Sequence, residues 1–201
     1  MHGLAYGVRS IEPSAGTDRS AHRIPVVLLH GFAGSSEDWE DVAARLAAAG
    51  YAAHAIDLPG HGLTAAAHEP ARFRPLEMAR DLASVAESLG LSRAHWLGYS
   101  MGGRAALHLA LSAPSAVASL TLESTSPGIA DDAERAARRA ADDALAAGIE
   151  SRGIAWFAEH WESLPIFATQ SALPEAARLA VRTRRLRQSP AGLAGSLRGF
   201  G

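Results

Sequence analysis

Ser100 lies in the segment GYSMGG, residues 98–103, which fits the nucleophile-elbow pattern G-x-S-x-G. An apolar run at 94–97 precedes it and a helix-forming run at 104–113 follows it, which predicts a strand–turn–helix junction. Glycines on both sides of the serine allow a sharp turn that leaves its hydroxyl at the tip. The following helix starts with backbone N–H groups directed at negative charge that develops there. The segment therefore predicts a catalytic serine.

Two backbone N–H groups are candidates for an oxyanion hole beside this serine. In folds with this elbow, one donor is the amide after the nucleophile, here Met101, and the other follows an earlier strand, here Phe32. Phe32 ends the segment HGF at 30–32, directly after an apolar run at 25–29. A third loop, DLPGHG at 57–62, follows the next predicted strand. Three matching loops in the correct order favour this interpretation over a chance motif match.

The serine needs a carboxylate and a histidine, which follow it in the chain order Ser, Asp/Glu, His. The 201 residues hold no convincing candidate for that histidine. His61 follows a Pro-Gly turn, which favours a structural role in the loop, and His160 lies in a predicted helix. Glu123, after the strand that follows the elbow helix, is a weak candidate for the acid, because an acid without its histidine activates nothing.

Composition excludes several classes of protein. The chain is 48% hydrophobic and 20% charged, as in a soluble globular domain, and no apolar run approaches the ~20 residues of a membrane span. The N-terminus lacks a secretory signal, and the absence of cysteine excludes disulfides and fits a cytoplasmic protein. A net charge of −2 argues against non-specific binding of nucleic acid. All 19 basic residues are arginine, so lysine Schiff-base chemistry is excluded.

The elements that must position these residues alternate between strands and helices as far as Glu123. Continuous apolar runs predict strands buried on both faces, and apolar residues three and four apart predict helices. Alternation of this kind predicts an α/β fold with a doubly wound, mostly parallel sheet. The first helix has Ser36 or Asp38 as its cap and ends at Gly50. The predicted strands are 4–11, 25–29, 51–56, 94–97 and 118–122, and the predicted helices are 36–49, 75–89 and 104–113.

Beyond Glu123 every recognisable segment is helical. A run of helices after α/β units predicts an all-helical cap over the strand ends, where ligands bind in such sheets. The chain is therefore predicted to divide into a core, residues 1–124, and a cap or lid, residues 125–201. The predicted cap helices are 131–147, 151–161, 174–187 and 190–197.

The three loops resemble those of the α/β-hydrolase family, and the resemblance runs from about Pro25 to the last residue. Further segments narrow it to one member group, the 2-succinyl-6-hydroxy-2,4-cyclohexadiene-1-carboxylate synthases, which are lyases of menaquinone biosynthesis. The core motifs are shared across the family, so the cap segments are the more discriminating. The segments are GYSMGGR at 98–104, PGI at 127–129, ERAAR at 134–138, PIFA at 165–168, RQSP at 187–190 and LAGSLRG at 193–199.

This resemblance implies the substrate 2-succinyl-5-enolpyruvyl-6-hydroxy-3-cyclohexene-1-carboxylate, which carries several carboxylates and loses its enolpyruvyl group as pyruvate. It also implies that a Ser-His-Asp triad removes a ring proton, with Ser100 as one member of a proton-abstracting set rather than an acylated nucleophile. Arg104, Arg138 and Arg187 match the carboxylate-binding arginines of the group. Arginine suits that role because its planar fork makes two parallel bonds to a carboxylate.

Other side chains are assigned to the substrate pocket with less support from the residues themselves. Tyr99 lies beside the serine, and Trp161 and Phe167 match positions where the family lines its pocket. Five arginines between Arg178 and Arg187 have no acid among them. Without interleaved aromatic residues, this cluster favours a solvated helix face over a nucleic-acid patch. The partner implied is a small polycarboxylate, with no metal, organic cofactor, nucleic acid or membrane, and with a monomeric full-length form.

Two alternatives stay open at this point. A serine esterase or C–C hydrolase would use the same elbow with an acylated Ser100, and a non-catalytic binding domain would keep the fold without a triad. The family pattern places an Asp and then a Gly-His after the cap, in strand–helix units that the 201 residues lack. The sequence is therefore expected to be C-terminally truncated, and the alternative is a shortened domain that works without the triad.

The isolated 201-residue chain is predicted to be marginally stable, because its sheet would have an unprotected edge and its cap nothing to close upon. It is also predicted to be essentially inactive, because a serine without its histidine is not activated. Purification of the chain, measurement of its oligomeric state and an assay of pyruvate release check this expectation. A monomeric chain that eliminates pyruvate at a normal rate would contradict it.

Overall fold

Five strands form one sheet in the computed structural model, which describes residues 4–13, 23–64 and 70–200. The spatial order of the strands is β1-β3-β2-β4-β5. β1 pairs with β3 in antiparallel fashion at one edge, and all other pairings are parallel. The strands are β1 (Val8–Ile11), β2 (Val26–Leu29), β3 (Ala53–Ile56), β4 (Ala94–Tyr99) and β5 (Val117–Glu123).

Helices cover both faces of this sheet. The side chains of β2 alternate between the two faces, so Val27 and Leu29 join one core cluster and Val26 and Leu28 join another. α2 and α3 pack in the first cluster and α1 packs in the second. The prediction of a doubly wound, mostly parallel α/β fold is confirmed. The helices of this part are α1 (Glu40–Ala48), α2 (Pro75–Ser88) and α3 (Met101–Ser112).

The start of α1 differs from the sequence prediction. A 3₁₀ turn at Ser36–Trp39 precedes α1. The cap residue of this turn is Ser35, rather than Ser36 or Asp38 as predicted. The Ser35 N–H donates to Asp38 Oδ2 at 3.0 Å, which satisfies a helix-end amide that would otherwise lack a partner. The predicted end is confirmed: Gly50 follows the helix with a φ of 87°, a conformation that favours glycine.

The part of the chain after Glu123 is helical, but its segments differ from those predicted. α4 (Asp132–Glu162) continues through the expected break and is interrupted at Gly153, whose φ is 81°. A 3₁₀ segment (Pro165–Ala172), which the periodicity did not predict, separates α4 from α5 (Glu175–Leu186), and α6 (Pro190–Phe200) follows. In the described ranges no helix combines the length and the apolar character needed to cross a membrane.

α6 joins this helical region to the sheet. Leu193 and Leu197 of α6 are buried against residues of α4, whereas Phe200 at its end belongs to the core beside the sheet. Its Gly192 lies against Gly60, and a Cβ on Gly192 would be 2.7 Å from the Gly60 Cα. The two backbones therefore meet without an intervening side chain, which only glycine at both positions allows.

Gly192→Ala tests this close approach. Helix propensity alone would stabilise the alanine variant by about 1 kcal/mol. We instead expect the free energy of unfolding to fall by about 1–3 kcal/mol, because the new methyl group would collide with backbone that cannot rotate away. Urea denaturation measures the change. Ala191→Ser, at the exposed neighbouring position, is the control, and a more stable Gly192→Ala variant would contradict the expectation.

Candidate active site

Ser100 occupies the tight turn between β4 and α3. Its φ is 51° and its ψ is −112°, a conformation that costs a non-glycine residue about 1–3 kcal/mol. Three hydrogen bonds hold it: its N–H donates to the Glu123 carbonyl at 2.9 Å, and its carbonyl accepts from the Arg104 N–H and the Thr125 hydroxyl, both at 3.1 Å. α3 begins at Met101, directly after the serine and earlier than predicted. The strained turn predicted from the elbow pattern is therefore present.

The glycines of the elbow permit close packing of backbone on backbone. A Cβ on Gly98 would lie 2.5 Å from the Gly102 carbonyl oxygen, and one on Gly102 would lie 2.5 Å from the His30 carbonyl oxygen. Such distances do not occur for real Cβ atoms, so larger residues would displace α3 from the end of β2. The packing fixes the serine relative to the loop that follows β2.

The two predicted oxyanion donors border the same cavity as Ser100. Met101 is the first residue of α3, so its N–H has no acceptor within the helix. Among the described residues neither this N–H nor that of Phe32 has a hydrogen-bond acceptor. Gly31 allows the approach of the Tyr99 ring, since a Cβ there would lie 2.7 Å from Tyr99 Cδ1. The oxyanion assignment stays a prediction, and the placement of both amides is compatible with it.

A cavity of about 580 Å³ lies over the elbow, between the strand ends and the helical region. Its size suits a small organic ligand. The structure brings together at its wall eight of the nine predicted site residues, namely Phe32, Tyr99, Ser100, Met101, Arg104, Arg138, Trp161 and Phe167.

Aromatic rings connect the loop after β2, residues 30–32, to the helical region. The Trp161 ring centroid is 5.2 Å from that of Phe32 and 5.4 Å from those of Phe157 and Phe167. Phe157 is fully buried, whereas Trp161 and Phe167 border the cavity. The apolar wall of the cavity is thus formed jointly by the core and the helices above it.

Arg104 is half-buried at the cavity wall, with its Cζ 4.9 Å from the centre of the Phe200 ring. Burial lowers the pKa of Arg104, and the charge of Arg138 lowers it further, while Asp142 raises it. Among the described residues Arg104 has no carboxylate within 4.0 Å, and its buried Nε has no hydrogen-bond partner. This guanidinium is therefore available to an anionic ligand.

Arg138 lies on α4 and donates from Nε to Asp142 Oδ2 at 2.7 Å. Its two terminal nitrogens have no hydrogen-bond partner in the described ranges. The sequence prediction missed Asp142, which borders the cavity although its position in the chain, four residues after an arginine, is typical of a helical ion pair.

Arg187 is placed away from the other predicted arginines. It is not among the residues that line the cavity, its side chain is 58% exposed and it forms an ion pair with Glu37. Arg184 and Arg185 of the same segment border the cavity instead. Both are paired with acids: Arg184 Nε lies 2.8 Å from an Asp38 oxygen, and Arg185 lies 3.2 Å from Glu162. The sequence prediction had no signal for the orientation of this helix.

The residues that could activate Ser100 are not in the described part of the cavity. His30 is the one histidine among the described lining residues, and both of its ring nitrogens are engaged by backbone. Nε2 accepts from the Leu58 N–H at 3.0 Å, so Nδ1 carries the hydrogen and donates to the Gly31 carbonyl at 2.7 Å. Burial lowers the pKa of His30, which keeps it neutral. His30 therefore stabilises the loop after β2 through these two hydrogen bonds and does not serve as a base.

Glu123, the candidate acid, is paired in register with Tyr99 and also borders the cavity. Its carbonyl oxygen holds the Ser100 N–H, as described above. Its side chain has no hydrogen-bond partner among the described residues. The structure thus supports a structural role for the Glu123 backbone and leaves a role for its carboxylate untested.

A family profile described as alpha/beta hydrolase fold matches residues 24–190, which include the elbow, the loop after β2 and most of the helical region. The chain belongs to the α/β-hydrolase family. Its named relatives are enzymes, in agreement with the strained serine at the cavity.

Two relatives carry the name 2-succinyl-6-hydroxy-2,4-cyclohexadiene-1-carboxylate synthase. The putative synthase of Bacillus subtilis (strain 168) is 37% identical over 199 residues, covering 99% of this chain and 69% of the relative. The synthase of Enterobacter sp. (strain 638) is 34% identical over 159 residues, covering 79% of this chain and 60% of the relative. The chain therefore spans only part of the length of either relative.

Solved structures of α/β-hydrolases agree with these similarities. MenH from S. aureus superposes with a TM-score of 0.87 at 33% sequence identity, covering 96% of this chain and 70% of that one. A malate-bound esterase from Thermogutta terrifontis has a TM-score of 0.80 at 22% identity, covering 98% of this chain and 67% of its own. The latter likeness shows the fold alone.

The lowered pKa values of two buried histidines, His30 and His61, predict how the stability of the chain depends on pH. Burial lowers the pKa of His61 from 6.5 to about 3, and the nearby His30 ring adds to this because two protonated imidazoles would repel each other. The unfolded chain binds a proton at each site below about pH 6.5, whereas the folded chain does not. Stability is therefore complete above pH 6.5 and falls with decreasing pH, by up to about 1.4 kcal/mol per pH unit for each histidine. Urea unfolding between pH 7.5 and pH 4.5 measures this slope.

His61→Asn should flatten the slope, because the amide can replace the Nδ1 hydrogen bond to the Pro59 carbonyl but does not titrate. The same substitution at the exposed His160 is the matched control. An unchanged slope in His61→Asn would refute the assignment.

Proposed function

We propose that this chain carries the serine and carboxylate-binding part of a carbon–oxygen lyase. The reaction is the elimination of pyruvate from 2-succinyl-5-enolpyruvyl-6-hydroxy-3-cyclohexene-1-carboxylate, which gives the compound in the name of the relatives above. The observation that carries the proposal is the placement of Arg104 and Arg138 beside Ser100 in one cavity. Such a pair suits a substrate with several carboxylates.

In the proposed reaction a ring proton is removed, the bond from the ring to the enolpyruvyl oxygen breaks, and the departing enolate takes up a proton to become pyruvate. Removal of the ring proton leaves an enolate on the substrate. The Phe32 and Met101 amides would stabilise its negative charge, and the position of both residues at the cavity supports this role. Ser100 removes the proton as one member of a Ser-His-Asp triad. The described residues supply the serine of this triad and no free histidine beside it.

The half-buried charge of Arg104 favours the lyase over a general esterase. A neutral ester has no group for an unpaired guanidinium at the cavity wall, and keeping that charge partly desolvated is costly without an anion. An esterase would acylate Ser100 and tolerate the loss of Arg104. The two functions therefore differ in what the arginines contribute.

Further details of the site belong to the same proposal. Tyr99, Trp161 and Phe167 would contact the ring and side arm of the substrate, which their position at the wall supports. Arg187 would join the site only if its ion pair with Glu37 opened. We also propose a core of residues 1–124, a cap of residues 125–201, a cytoplasmic location, a monomeric form and no nucleic-acid partner. The ion pairs of Arg182, Arg184 and Arg185 with acids support the last point.

Arginine variants test the proposed function. In a protein that contains this chain and releases pyruvate, Arg104→Ala and Arg138→Ala should each lower kcat/KM by about 10–150-fold, because a charge-assisted bond contributes about 1.5–3 kcal/mol. Pyruvate release is followed by a coupled reduction to lactate. Arg139→Ala removes an exposed arginine next in sequence to Arg138 and is the matched control.

Ser100→Ala should abolish pyruvate release in the same protein, and hydrolysis of a neutral ester should be weak in the parent protein. Strong ester hydrolysis without pyruvate release, unaffected by Arg104→Ala, would replace the lyase with the esterase. Labelling of Ser100 by a fluorophosphonate would accompany that outcome.

A further inference from the structure

We propose that Asp142 is a positioning residue of the carboxylate site. It accepts a hydrogen bond from the Arg138 Nε–H, so that the two terminal nitrogens of Arg138 remain available to a ligand carboxylate. Its negative charge also reduces the repulsion between Arg104 and Arg138, which border the same cavity. The proposal rests on the proposed function in one respect, that the ligand is a polycarboxylate.

The burial of Asp142 is the first argument. It is 6% exposed, whereas Ala141 and Asp143 on either side of it are exposed on the same helix. A desolvated carboxylate is costly unless it is paired with a cation. Its partner, Arg138, keeps a side chain that is 55% exposed, so the pair lies with its carboxylate inward and its guanidinium reaching into the cavity mouth.

The geometry of the pair is the second argument. The bond runs from Arg138 Nε to Asp142 Oδ2 at 2.7 Å, and the terminal nitrogens of Arg138 take no part in it. A guanidinium has a second edge, formed by its two terminal nitrogens, that binds a carboxylate bidentately. Anchoring at Nε therefore fixes the plane of the group and removes part of the rotamer freedom that ligand binding would otherwise have to restrict.

The charges around the pair are the third argument. Arg104 and Arg138 repel each other, as the lowering of the Arg104 pKa by Arg138 shows, and Asp142 opposes that effect. Arg184 and Arg185, the other arginines at the cavity wall, have their own carboxylate partners. Among the described residues Arg104 has no carboxylate partner, and Arg138 keeps its terminal nitrogens free although its Nε is paired with Asp142. Each guanidinium can therefore bind a carboxylate of a polycarboxylate ligand.

Asp142→Ala separates positioning from simple electrostatics; alanine is used because the amide oxygen of an asparagine would still accept from the Arg138 Nε–H. Removing a negative charge from an anion site should tighten anion binding if charge alone mattered. Positioning predicts the opposite, a weakening of about tenfold, because Arg138 loses its anchor. The probe is 2-succinylbenzoate, a stable aromatic dicarboxylate, and calorimetry gives its Kd. Asp143→Ala, which changes the exposed neighbour, is the matched control and should alter the Kd less than twofold.

A double-mutant cycle shows whether Asp142 acts through Arg138. In an Arg138→Ala background, Asp142→Ala should not weaken binding of the probe any further, because the anchored guanidinium is already absent. An equal loss in both backgrounds, or tighter binding when Asp142→Ala is made in the parent chain, would overturn the proposal. In an active protein that contains the chain, the same variant should raise KM and leave kcat nearly unchanged, which general unfolding would not do.

The anchor can also be observed without a ligand. The Arg138 Nε–H should give a slowly exchanging NMR signal in the parent chain, lost in Asp142→Ala and retained in Asp143→Ala. Failure of the parent chain to bind the probe, with this signal present, would count against the proposed function and leave the anchor supported. A rapidly exchanging Arg138 Nε–H in the parent chain would refute the anchor itself.

Discussion

The packing of the first turn of α3 against the end of β2 is the constraint on which the site depends. Gly102 brings the helix backbone into contact with the carbonyl of His30, and Gly98 admits the helix behind the strand. The same contact holds Ser100 in its strained conformation and places the start of α3 beside the loop after β2. His30 then fixes that loop through two backbone hydrogen bonds, at the cost of any role in proton transfer.

The arginines that border the cavity in the described part of the chain differ in whether they have a carboxylate partner. Four arginines border the cavity, and two of them are neutralised by Asp38 and Glu162. The remaining two differ, because Arg138 shares its Nε with an internal carboxylate while Arg104 rests against an aromatic ring. One guanidinium that lies on an aromatic ring and one that is held at its Nε together suit a ligand with more than one carboxylate.

The strands, the elbow and the loop after β2 could be predicted from the sequence because each depends on local patterns, such as the glycine spacing around Ser100 and the apolar run before His30. The orientation of α5 could not be predicted. Five arginines within ten residues cover more than one helix face, and the contacts with Asp38 and Glu162, distant in sequence, decide which of them face inward. Asp142 was missed for the same reason, since an ion-pair spacing on a helix does not reveal burial.

α6 contacts the first turn of α3 at two points: the Ser196 hydroxyl lies 3.3 Å from Met101 Sδ, and Phe200 lies under the Arg104 guanidinium. Replacing α6 would therefore alter the surroundings of Ser100 and of Arg104 at the same time, so this helix cannot be exchanged independently of the sheet and α3. Divergence toward new substrates is expected to concentrate in α5 and in the 3₁₀ segment before it, while α6 changes slowly.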